Sequence, residues 1–126
     1  MSEEKRPLIL IADRQLATLL SLDALLSLEG YRVTMCSSSS EALKAVAREK
    51  LNLVIAGRVG PLPHSTLVSQ IKTISPETNV LVLIESDEDS MLAESIAAGA
   101  DGVLRRPYSE SQVIERVNGL LHAVQA

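Results

Sequence analysis

Five short apolar runs alternate along this chain with five longer segments of helical pattern, and a strand comes first. Leu8-Ile9-Leu10-Ile11-Ala12, Leu53-Val54-Ile55-Ala56 and Val80-Leu81-Val82-Leu83-Ile84 are apolar without interruption. A strand with one face in water alternates polar and apolar side chains, so an unbroken run marks a central strand covered on both sides. Tyr31-Arg32-Val33-Thr34-Met35 and Gly102-Val103-Leu104-Arg105 carry more polar residues and fit the sheet edges. The alternation predicts an α/β domain in which a parallel sheet is sandwiched between helices.

Punctuation supports the same division. Glu29-Gly30 and Ala98-Gly99 end helices on a residue that tolerates the left-handed conformation, and Ser38 with Glu41 and Ser109 with Gln112 have capping-box spacing. The last helix aligns Val113, Val117, Leu120 and Val124, with Ile114 and Leu121 beside them, as one apolar stripe. The first helix holds leucines at 16, 19, 20, 22, 25, 26 and 28, more than one core-facing stripe requires. Extra burial against neighbouring helices is the reading taken; exposure for a partner is the alternative.

A length of 126 residues suits one domain over 1–126, with residues 1–7 as a polar, flexible lead. The chain is equally readable as the amino-terminal domain of a longer protein. No apolar run approaches the ~20 residues that span a membrane, and the lead lacks the apolar stretch of a signal peptide, which together point to the cytoplasm. Cys36 is the only cysteine, so an internal disulfide is impossible and a packing role is expected. A net charge of −4 and two aromatic residues, Tyr31 and Tyr108, argue against direct nucleic-acid binding, which needs basic faces and stacking platforms. His64 and His122 stand apart from carboxylates or cysteines at ligand spacing, so surface or cap roles are expected for both. Ser37 to Ser40 are read as capping residues in preference to modification sites.

In open parallel sheets ligands bind outside the carboxyl ends of the strands, so the residues after the first, third, fourth and fifth strands should converge. Those positions read Ala12-Asp13, Gly57, Ile84-Glu85 and Arg105-Arg106-Pro107-Tyr108. With the element Gly99-Ala100-Asp101 and with Pro61 after the third-strand loop, this series resembles the receiver domain of response regulators over about residues 8 to 121. The resemblance implies a flavodoxin-like, doubly wound (βα)5 fold with strand order 2-1-3-4-5. It also implies a site in which a paired acid after the first strand holds Mg²⁺, an aspartate after the third accepts phosphate, a Thr or Ser closes the fourth, and a lysine precedes proline after the fifth.

This chain departs from that pattern in each place. Ala12 replaces the first acid and only Asp13 remains; Gly57 stands at the phosphoacceptor position; Ile84 replaces the hydroxyl; Arg106 replaces the lysine. Glycine has no side chain with which to attack phosphorus. One carboxylate is a poor site for Mg²⁺, which wants an octahedron of oxygens, so neither metal nor cofactor is expected. Arg106 is instead expected to pair with Asp13. Val103 stands where the family often carries a switching aromatic, Tyr108 where it has a packing phenylalanine, and the Arg106-Pro107 bond is expected to be cis.

The reading that follows is a degenerate receiver, not an enzyme, acting as a phosphorylation-independent module for a protein partner: a histidine kinase, an output domain or a second copy. Met91, Glu94, Arg105 and Glu115 are the candidate contacts, on the surface the family commonly uses for pairing. The alternative is a working response regulator phosphorylated at a substitute such as Asp13 or Ser86. An enzyme or cofactor carrier of flavodoxin-like topology is a third class, disfavoured because Ala12-Asp13-Arg14-Gln15 has no Gly, Ser or Thr to cradle a phosphate.

Overall fold

The computed structural model describes residues 6–122. In chain order it runs β1 (Leu8–Ala12), α1 (Leu16–Leu28), β2 (Arg32–Cys36), α2 (Ser39–Arg48), β3 (Leu53–Ala56), α3 (His64–Ile74), β4 (Asn79–Ile84), α4 (Asp89–Ala97), β5 (Gly102–Arg105) and α5 (Glu110–His122). All five strands are parallel in the order β2-β1-β3-β4-β5, so the two polar strands are indeed the edges.

Because side chains alternate along a strand, each apolar run feeds two cores at once. Leu10, Ala12, Val54, Ala56, Val82 and Ile84 point to one face, where Ala42 and Val46 of α2 and Leu67, Val68 and Ile71 of α3 cover them. Ile9, Ile11, Leu53, Ile55, Leu81 and Leu83 point to the other, under Leu19, Leu22 and Leu26 of α1 and Val113 and Val117 of α5. That two-sided burial explains why the central strands have no polar beat.

The helix signals operate as the spacing suggested. Ser38 Oγ accepts the Glu41 amide at 3.1 Å while Glu41 Oε1 accepts from the Ser37 amide at 3.2 Å. Ser109 Oγ accepts the Gln112 amide, and Gln112 Oε1 accepts the Ser109 amide. Gly30 and Gly99 adopt φ of +93° and +111°, values an L side chain resists. The Arg106-Pro107 bond is cis, and so is Gly60-Pro61.

Three expectations need correction. Arg6 and Pro7 are not a free lead: the Arg32 amide donates to Pro7 O and Arg32 Nε to Arg6 O, each at 3.0 Å, which ties them to the edge strand; residues 1–5 lie outside the described residues, as does Val124. His64 is buried rather than superficial, because the first turn of α3 folds back over the end of β3. The leucines of α1 divide: Leu19, Leu22 and Leu26 are core, whereas Leu16, Leu20 and Leu28 are 65%, 51% and 85% exposed. Among the described residues no helix is long and apolar enough to cross a membrane.

Candidate functional site

The carboxyl edge of the sheet brings Asp13, Gly57, Glu85 and Arg106 together from β1, β3, β4 and β5. Asp13 is the centre, with 1% of its surface exposed. Its Oδ1 accepts the Gln15 amide at 2.8 Å, and its Oδ2 accepts the Arg58 amide at 3.2 Å. Gly57 lies directly alongside: a Cβ at this position would fall 2.1 Å from Asp13 Oδ2 and 3.0 Å from its Cγ. The carboxylate thus fills the volume a side chain at position 57 would need. Glycine suits this position by its lack of a side chain and not by an unusual φ, since a Cβ would displace the Asp13 carboxylate.

Arg106 closes the site from the fifth strand. Its Nη2 lies 3.5 Å from both Asp13 Oδ2 and Thr18 Oγ1, its Nε is 3.1 Å from Glu85 Oε2, and its guanidinium sits 5.4 Å from the centre of the Tyr108 ring. The expected Arg106–Asp13 pair is therefore present but long, and the shorter bond goes to Glu85. Since Asp13 is the buried acid and Glu85 is 42% exposed, the longer contact is the less screened of the two. Burial raises the Tyr108 hydroxyl pKa, with Arg106 pulling it the other way.

His64 contributes from beneath. Its Nε2 is 2.6 Å from the carbonyl oxygen of Gly57. A carbonyl only accepts, so Nε2 carries the proton. The contact pins the peptide after β3. Glu88 supports the other rim, accepting the Glu85 amide at 2.7 Å and pairing with Arg58 at 3.6 Å. Neither His64 nor Glu88 was singled out from sequence as part of the site; the only hint for Glu88 was its place three residues after Glu85.

Ala12 and Ile84 do not line the cleft. Both are in the core, 0% and 1% exposed, because the strand alternation turns them inward. The open cleft, about 400 Å³, is walled by Arg14, Gln15, Arg58, Glu85 and Arg106. A neighbouring groove of about 540 Å³ runs between α1 and the β5–α5 loop and includes Ser86. The four candidate contact residues lie on α4, β5 and α5. Arg105 binds Asp89 at 3.0 Å and the Ser86 carbonyl at 2.9 Å, Glu94 and Glu115 are exposed on α4 and α5, and Met91 turns toward His64 and the β3–α3 loop.

The donor set does not fit Mg²⁺. Asp13 is the single buried carboxylate among the described residues, both its oxygens already accept backbone amides, a guanidinium lies beside it, and Glu85 is paired with that same guanidinium. Among the described residues no three metal-ligating side chains cluster.

Comparison with known proteins agrees with the fold. Residues 9–118 match the response regulator receiver domain family. The chain is 30% identical over 114 residues to the response regulator MprA of Mycobacterium leprae, covering 90% of this chain and 50% of that protein, and 28% identical to that of Mycobacterium ulcerans, covering 90% and 49%. Among solved structures, a CheY-like receiver domain from Methanospirillum hungatei superposes with a TM-score of 0.90 at 22% identity, covering 96% of this chain and 98% of the other. A response regulator from Thermotoga maritima gives 0.83 at 25%, covering 92% and 98%. The chain belongs to the response regulator receiver domain family. It spans about half the length of the curated relatives it matches. As a receiver it is a module of two-component signalling, a class whose members engage histidine kinases and output domains.

Proposed function

We propose that this receiver signals without a phosphorylated residue, as a protein-interaction module whose message is its fixed shape. The observation that carries the reading is the Asp13 carboxylate inside the space of a residue-57 side chain. A phosphoacceptor at that place would need an oxygen that glycine lacks, and Asp13 would have to turn out of the space it now takes. Arg106, bound to Glu85 and facing Asp13, holds the cleft in one arrangement. The partner is a protein: a histidine kinase, an output domain or another copy of the chain. No cofactor, catalysis, nucleic acid or membrane enters the proposal, and the setting proposed is the cytoplasm.

Incubation with acetyl phosphate and Mg²⁺ followed by intact-mass analysis tests it. The expected spectrum is that of the unmodified chain. A stoichiometric phosphoryl adduct mapping to Asp13 or to the exposed Ser86 would overturn the proposal in favour of a regulator that uses a substitute acceptor.

A further inference from the structure

The two edge strands of the sheet are finished differently. Backbone groups of successive residues turn alternately to the two sides of a parallel strand, so an edge strand leaves every second residue's N–H and C=O facing outward. On β5 the outward carbonyl of Val103 accepts from Arg116 Nη1 at 2.7 Å, and the Arg105 side chain is tied to Ser86 O and Asp89. On β2 the Arg32 amide donates to Pro7 O and Cys36 O accepts the Asp13 amide, which fixes Arg32, Thr34 and Cys36 as the residues that face β1. Val33 and Met35 therefore face outward, and their amides and carbonyls have no partner among the described residues. This edge has no proline and no bulge, its one charge is on Arg32, which is bound to Arg6 O, and Met35 is 41% exposed. Beside it a trough of about 510 Å³ separates β2 from α2, with Thr34, Met35 and Cys36 on the strand side and Glu41, Lys44 and Arg48 on the helix side.

We infer that two copies of the chain join through β2, strand to strand and antiparallel, about a two-fold axis at Thr34. Outward N–H and C=O groups at ladder spacing are recognised by another extended backbone, and those of β2 fit a second β2. With Thr34 opposite Thr34 of the other copy, Val33 falls opposite Met35 and Met35 opposite Val33. These are the outward residues, so each pair exchanges two hydrogen bonds. The same register sets two Val33–Met35 pairs on the α1 side of the sheet, where Val33 already packs, and a Thr–Thr pair on the α2 side. Charge agrees with that register. Helix α2 runs back between parallel strands, so the rotation brings the Glu41 end of each α2 toward the Arg48 end of the other, and both residues line the trough at the join. Arg48 has no ion pair among the described residues, while Lys44 keeps its own Glu41 nearby. A strand of other sequence would have no reason to match this symmetry. The inference names one partner within the proposed function and rests on that reading only in taking the partner to be a protein.

Sedimentation equilibrium from micromolar to near-millimolar chain tests the inference. The unaltered protein should show a concentration-dependent dimer. Met35→Pro deletes an outward amide that the fold itself does not use, so it should weaken the dimer by on the order of 100-fold while keeping the circular dichroism of the fold. Met35→Lys, which keeps the amide but charges the edge, should act in the same sense. Arg48→Glu should weaken pairing several-fold. Thr34→Cys, which meets its own counterpart at the axis, should cross-link two copies on mild oxidation much faster than Thr73→Cys on the exposed side of α3. A chain monomeric throughout, a dimer untouched by both Met35 variants, or one broken instead by Arg105→Glu would overturn the inference. A strand of another protein that adds to β2 of a strictly monomeric chain would overturn it equally. A chain that takes no phosphoryl adduct and yet stays monomeric fails here alone and leaves the proposed function standing.

Discussion

Asp13 and Gly57 share one volume: the Oδ2 of the first stands 2.1 Å from where the Cβ of the second would be. A Cβ at position 57 must turn the Asp13 carboxylate away from the Gln15 and Arg58 amides it accepts, so Gly57→Ala should lower stability by about 1–3 kcal/mol in urea or thermal unfolding. Gly57→Asp should cost more, since it adds a like charge to the steric conflict. The penalty of Gly57→Ala should shrink when Asp13→Ala is already present, a coupling that a double-mutant cycle measures. Full additivity would separate the two residues.

Asp13 is also the acceptor for two backbone amides. Asp13→Ala leaves the Gln15 and Arg58 N–H groups unsatisfied and should cost about 1–3 kcal/mol, whereas Asp13→Asn keeps a carbonyl oxygen and should cost less. Equal unfolding midpoints for the two variants would contradict a hydrogen-bonding role for the side chain.

Cys36 should be inert at neutral pH. Burial, then the nearby Glu41 carboxylate, push its thiol up to about 11 against an ordinary 9.0. A folded value above the unfolded one means that the unfolded chain ionises first as pH rises. Its contribution to stability is therefore intact below about pH 9 and is lost between there and pH 11. Iodoacetamide modification of the native chain should be slow at pH 8 and accelerate toward pH 11; fast labelling at pH 8 would contradict it.

The two capping boxes should carry measurable weight. Ser38→Ala and Ser109→Ala each remove an acceptor for a helix amide and should each lower stability by about 1 kcal/mol in chemical unfolding, with additive effects because the helices are α2 and α5. Loss confined to one of them would mark the other cap as redundant.

The order of elements was legible because burial on both sheet faces leaves a plain trace: Ile9 to Ala12 and Val80 to Ile84 have no polar beat. Gly30, Gly99, Ser38 and Ser109 announced their turns because each does a local job. The vacancy at Gly57 was equally plain, but its filling was not, since the approach of Asp13 to Gly57 depends on β1–β3 register and one side-chain rotation. His64 looked superficial because nothing local shows α3 folding back onto Gly57 O. Periodicity could not divide the leucines of α1, for both the buried row at 19, 22 and 26 and the exposed row at 16, 20 and 28 are leucine. Which row is core is decided by the sheet, not by the helix. Ile84 matched a site position by order along the chain, yet strand alternation turns it into the core and leaves Glu85 at the cleft.

The most direct measurement is a nuclear magnetic resonance titration of the isotopically labelled chain with Mg²⁺ and beryllium fluoride, a mimic of the phosphoryl group. The amides of Asp13, Gly57, Arg58 and Arg106 should stay where they are at every addition, because no oxygen at position 57 receives the mimic and Asp13 is already engaged. Saturable shifts centred on those four amides would show that the cleft still accepts a phosphoryl group and its metal, and would contradict the account.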